Sequence, residues 1–173
     1  MMGTTMKIIL TIATATLAAQ PVAAHPGSPH PTAPKAATTN AATESEAAAV
    51  RSVLAQYKSA NERLDATGTE RLFTTDSAIF ETGGVEGTYG NYLAHHLTPE
   101  LAEFKVFRFS DYKIDVRFEG PIALAAESYK YRIETKKGEI AERLGVATSV
   151  LIKVGGRWKI VSMHNSARKP KGS

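Results

Sequence analysis

The chain has 173 residues, 43% hydrophobic and 22% charged, which is the length and composition of one globular domain with a leader. Its formal charge of +4 is spread along the sequence instead of being gathered on one face, which argues against a nucleic-acid partner. Cysteine is absent, so a disulfide framework is excluded and burial must hold the fold together.

Lys7 followed by an apolar run from Ile8 to Ala19 has the form of a secretory leader. Val22 and Ala24 stand three and one positions before a cleavage point after Ala24, so residues 1–24 read as a signal peptide. A membrane anchor needs about 20 apolar residues, and this run is shorter. The expected destination is therefore the periplasm or the medium, with no membrane anchor after cleavage. Residues 25–42, rich in Pro, Ala and Thr, read as a disordered tether, since such a stretch cannot offset its ordering entropy by burial. Cleavage after Ala24 exposes His25 as a free amine plus imidazole, with His30 close behind. That pair is a candidate site for a metal of Cu(II) type.

The domain proper is expected over 43–168, with a basic tail at 169–173. Thr43-Glu44-Ser45-Glu46 has the form of a capping box, with Thr43 as N-cap. The helix after it carries Val50, Val53, Leu54, Tyr57, Asn61 and Leu64 on one stripe. Asn61 is the polar member of that stripe and needs a partner or a wet cavity. A short helix is expected at Thr69 to Phe73, then a strand at Ala78 to Glu81 closed by Gly83, Gly84 and Gly87. Tyr89 to Leu97 reads as a helix with His96 on its apolar side and His95 opposite. Thr98-Pro99-Glu100 reads as a restart, with Thr98 as N-cap. Strands are expected at Val106 to Glu119, Ile122 to Glu134, Ile140 to Lys153 and Arg157 to Ser166. Helices first and then an antiparallel meander make an α+β fold.

Arg51 to Phe73, the strand Asp76-Ser77-Ala78-Ile79-Phe80-Glu81 and the closing Gly155-Gly156-Arg157-Trp158-Lys159-Ile160-Val161 together carry a resemblance. With Met163-His164-Asn165-Ser166 at the end, they resemble the nuclear transport factor 2-like superfamily, nearest to exported SnoaL-like and ketosteroid-isomerase-like members. The resemblance implies a cone-shaped fold in which a curved antiparallel sheet wraps a long N-terminal helix and leaves a pocket open. Matched to the ketosteroid isomerase pattern, Tyr57 falls on the oxyanion donor when Asp65 is set on the Asp after the helix. Glu81 falls on the acidic proton shuttle. The third member of that pattern, an acid late in the sheet, aligns near Thr148 to Val150, where this chain has none.

The implied function is a pocket for a small molecule, with acid–base chemistry of isomerase, cyclase or lyase type. Glu81, Tyr57 and His164 are its candidate catalytic residues. Asn61, Tyr89, His96, Tyr112, Glu127, Tyr129 and Trp158 are candidate ligand contacts. His164 is placed on the inner face with Trp158, Ile160 and Ser162, so that it meets His96 at the pocket mouth. No cofactor is required by this chemistry. The alternatives are a non-catalytic binding or scaffold protein that dimerises through its sheet, and a copper-type metal handler using His25, His30 and the pocket histidines. Asp111, Lys113, Asp115 and Arg117 are expected to face solvent as one charged row.

Overall fold

The computed structural model describes residues 41–171. The leader, the tether up to residue 40 and the candidate metal pair His25 and His30 lie outside the described residues. The first element is α1 (Ala41–Glu62). Its start at Ala41 lies upstream of Thr43, so the expected capping box falls inside the helix. Glu46 turns elsewhere, accepting from Trp158 Nε1 at 2.7 Å and from Lys153 Nζ at 2.6 Å. Val50, Val53 and Leu54 are buried along the stripe. Each such side chain contributes roughly 1.5–3 kcal/mol on burial, so packing, more than helix propensity, holds α1 in place. The helix ends where Leu64 takes a left-handed φ of 57°.

A 3₁₀ turn (Thr69–Leu72) leads into β1 (Phe73–Glu81), which turns back through β2 (Gly84–Gly87). Next come α2 (Tyr89–Tyr92), a π-helical turn (Leu93–Leu97) and α3 (Thr98–Glu103). These three run on without a break. The cap is Thr88, whose hydroxyl accepts from Asn91 N at 3.3 Å, and Thr98 is an interior residue with helical dihedrals. Then follow β3 (Phe104–Glu119), β4 (Ile122–Thr135), β5 (Ile140–Val154) and β6 (Arg157–Arg168). The expected meander is therefore present.

The whole sheet has six strands in the order β2-β1-β6-β5-β4-β3, curved and unclosed. The β1–β6 pair is parallel and all the others are antiparallel. Its inner face packs on α1 through Ile79, Leu151, Ile160 and Met163, all fully buried. Tyr89 belongs to this core. Its ring stacks on Phe73 at 3.6 Å between centroids, and its hydroxyl lies 2.6 Å from that of Thr69.

Two β-bulges decide which side chains face inward. On β6, Leu151 pairs with Ile160 but Val150 pairs with Ser162, so Val161 is an extra residue. Trp158 and Ile160 point inward before the bulge, and Met163 does so after it. An inserted residue reverses the faces of everything beyond it. His164 is consequently exposed on the outer face, and the expected meeting of His96 with His164 does not occur. On β3 the pairing slips between Ser110 and Lys113, with Asp111 at φ 51°. That slip brings Tyr112 and Ile114 to the same face as Phe107 and Phe109. Asp111, Lys113, Asp115 and Arg117 are all exposed, as the charge pattern predicts.

Candidate functional site

A cavity of about 220 Å³ opens between the C-terminal half of α1 and the inner face of the sheet. Leu54, Tyr57, Lys58 and Asn61 line it from α1; Glu81 lines it from the end of β1, Tyr92 from α2 and Glu100 from α3. The opposite wall is largely aromatic, formed by Phe107, Phe109, Tyr112, Tyr129 and Tyr131 of β3 and β4. Beyond the β6 bulge, Met163 and Asn165 complete the surface.

Glu81 is held at the strand end, where its neighbour Thr82 donates its backbone N–H to Asn165 O at 3.0 Å. Tyr92 Oη donates to Glu81 Oε2 at 2.7 Å. Burial, then Tyr57 and Glu81, push the Tyr92 hydroxyl far above the usual phenol range, so it remains a donor. Tyr57 sits edge-on to Phe73 and Tyr89, with centroids at 5.5 and 6.0 Å. Its hydroxyl is also pushed well up, first by burial and then by Tyr89 and Glu81, with the Asn61 amide acting the other way.

Deeper in the aromatic wall, Glu127 is 8% exposed and accepts from Tyr112 Oη. Burial raises its carboxyl pKa, and the Tyr112 bond opposes the rise. Lys58 Nζ lies 5.4 Å from the ring centroids of both Phe109 and Tyr112 and is paired with Glu62 at 2.7 Å. Glu62 also accepts from Phe109 N at 3.0 Å, which ties α1 to β3. Asn61 is 6% exposed, and its Oδ1 has no hydrogen-bond partner.

The structure thus brings Glu81, Tyr57, Asn61, Tyr112, Glu127 and Tyr129 to one cavity. It leaves four expected residues out. His164 is turned outward by the Val161 bulge, and Tyr89 is committed to the core. Trp158 packs near Glu46, roughly 12 Å along α1 from Leu54 at the helical rise. His96 stands at the rim, its Nδ1 3.2 Å from Glu86 and its Nε2 3.3 Å from Glu100. It does not line the cavity itself, but it borders two residues that do, Glu100 and Tyr92, whose ring centroid lies 5.0 Å from its own. Burial works against its protonation, but Glu100, Glu81 and Glu86 together raise its pKa. Among the described residues, no group of three or more His, Cys, Asp or Glu is arranged to hold a metal ion.

The residues missed from sequence had traces there. Tyr92 follows Tyr89 by three positions and shares its helix side. Asn165 was hidden by the bulge, whose trace is an apolar phase that shifts between Ile160 and Met163. Phe107 and Phe109 show the same phase shift against Tyr112 and Ile114.

The sequence profile of the SnoaL-like domain matches residues 50–169. The chain belongs to the SnoaL-like domain family. Solved structures agree on the fold of this SnoaL-like domain. A nuclear transport factor 2-like superfamily protein from Salmonella enterica superposes with a TM-score of 0.67 at 17% identity, covering 75% of this chain and 96% of that one. A proposed ketosteroid isomerase from Shewanella frigidimarina gives a TM-score of 0.60 at 27% identity, over 68% of this chain and 94% of that one. A proposed dehydratase of the same fold family from Streptomyces avermitilis gives 0.62 at 18% identity, over 73% and 99%. No curated protein matches the sequence significantly.

Proposed function

We propose that this SnoaL-like domain binds a small molecule in the α1–sheet cavity and performs acid–base chemistry there, of isomerase or lyase type. One observation carries the reading: Glu81 and Tyr57 line the same cavity, with Glu81 oriented by the 2.7 Å bond from Tyr92. The Glu81 carboxylate takes a proton from a carbon beside a carbonyl and returns it at a second position. Tyr57, protonated throughout, donates to the carbonyl oxygen as charge develops on it. Tyr92 is a positioning residue. His164 has no part in this scheme. Likeness to the Shewanella protein supports the isomerase side of the proposal. The leader at 1–24 would place this activity outside the cytoplasm.

The test is a screen of small carbonyl compounds for exchange of the adjacent hydrogen with deuterated solvent, followed by nuclear magnetic resonance. Glu81→Gln is expected to slow exchange by about 10²-fold or more, and Tyr57→Phe to slow it less. Exchange that survives Glu81→Gln unchanged would remove Glu81 from the mechanism.

A second reading, a non-catalytic binding protein that dimerises through its sheet, is supported by the outer face. There Phe80, His164, Thr148 and Ala126 form one exposed row across four strands, with Val146 exposed nearby.

A further inference from the structure

The polar groups of the cavity are unbalanced. Glu81 Oε2 and Glu127 Oε1 each accept from a phenol, and no protein donor among the described residues reaches the second oxygen of either carboxyl, both residues lining the cavity. Asn61 adds an amide oxygen that is buried and unpartnered. A buried acceptor left without a donor costs about 1–3 kcal/mol, so a ligand that supplies one recovers that cost. Among the described residues, Lys58 is the basic side chain lining the cavity, and Glu62 neutralises it. The walls are aromatic, and an ammonium already rests against them: Lys58 Nζ, 5.4 Å from the Phe109 and Tyr112 centroids. Ring faces attract cations, and more strongly where water is excluded.

We propose that the cavity selects a small organic cation whose N–H groups meet Asn61 Oδ1 and the Glu127 carboxylate while its body lies among Tyr57, Phe107 and Tyr129. The class is a protonated amine or amidine. An anionic ligand would face Glu81, Glu100 and Glu127 with no unpaired base to receive it. A neutral ligand of the same shape, an alcohol for instance, brings one O–H, so it leaves either Asn61 Oδ1 or Glu127 without a donor and gains no charge attraction. The inference rests on the reading of the cavity as a small-molecule site and adds the charge of what enters it.

Three probes of one shape test it by titration calorimetry on the purified protein near neutral pH: benzylammonium, benzyl alcohol and benzoate. Benzylammonium is expected to bind about tenfold or more tightly than benzyl alcohol, with benzoate weakest. Glu127→Gln and, separately, Asn61→Leu are each expected to bring the cation and the alcohol within about threefold of each other. Glu119→Gln, at the exposed end of β3, is expected to leave the preference intact, which separates a local contact from a general field. Two variants are used so that a fold defect in one leaves the other to decide. If the alcohol binds as well as the cation, or if the preference survives both substitutions, the charge assignment is wrong and the small-molecule site stands. If none of the three probes binds, both the assignment and the small-molecule reading fall.

Discussion

Within the cavity the carboxyls of Glu81 and Glu127 are each held by a phenol, and burial raises the pKa of Glu127. A carboxyl whose pKa is higher folded than unfolded binds more protons in the native state. Its contribution therefore favours folding at acidic pH and is lost as pH rises from the ordinary Glu value, about 4.3, through the folded value. Glu127→Gln removes that dependence. The difference in unfolding free energy between variant and wild type should move in favour of the variant as pH rises through that window, as read by urea denaturation at a series of pH values. A difference that stays flat would mean that Glu127 ionises as an ordinary surface carboxyl. At this scale much of the site was legible. Tyr57 and Asn61 followed from helical period, and strand alternation put Glu127 and Tyr129 on one face of β4 without deciding between pocket and dimer surface. His164 did not, because its side of the sheet depends on a pairing slip that alternation along one strand does not contain.

At the scale of elements, the β4–β5 pair sets the far wall of the cavity. Tyr129 pairs with Gly145, and a side-chain carbon at Gly145 would lie 2.8 Å from Tyr129 Cδ2. The glycine is there because the ring crosses it, and its backbone needs no special dihedral. Gly145→Ala should push Tyr129 out of its place and destabilise the fold by about 1–3 kcal/mol, the usual range for overpacking. Denaturant midpoints would check this, and a midpoint equal to wild type would show that the ring has room to yield. The same pairing explains a limit of sequence reading. The four strands of the meander were visible as β-branched and aromatic runs, but β2 is short and glycine-flanked, and nothing local announces that β1 runs parallel to β6. The Thr43 capping box likewise failed because Glu46 has better partners in Trp158 and Lys153, which lie far along the chain.

For the molecule as a whole, the outer face of the sheet is the surface that bears on assembly. Phe80, 36% exposed, meets His164 edge-on at 6.4 Å, and Val146 is 55% exposed on the same face. If this face joins two copies, Phe80→Asp together with Val146→Lys should convert the protein to a monomer in analytical ultracentrifugation. Ligand binding in the cavity should be kept. A wild type that sediments as a monomer at all concentrations tested would dispose of the dimer. The α+β architecture and its meander could be read from sequence because they rest on periodicity; the inward face beyond a bulge could not, because it depends on the extra residue Val161 in β6 and on the slip between Ser110 and Lys113 in β3.

That last dependence makes the Val161 bulge a kind of frame marker. If Val161 paired with Val150 and the hairpin kept its register, the composition of the strand would be unchanged, yet His164 would turn toward the cavity and Asn165 away from it. An imidazole would then replace an amide beside Glu81 without any substitution at either position. A shift of one residue in the pairing at that hairpin is thus enough to change the chemistry of this cavity.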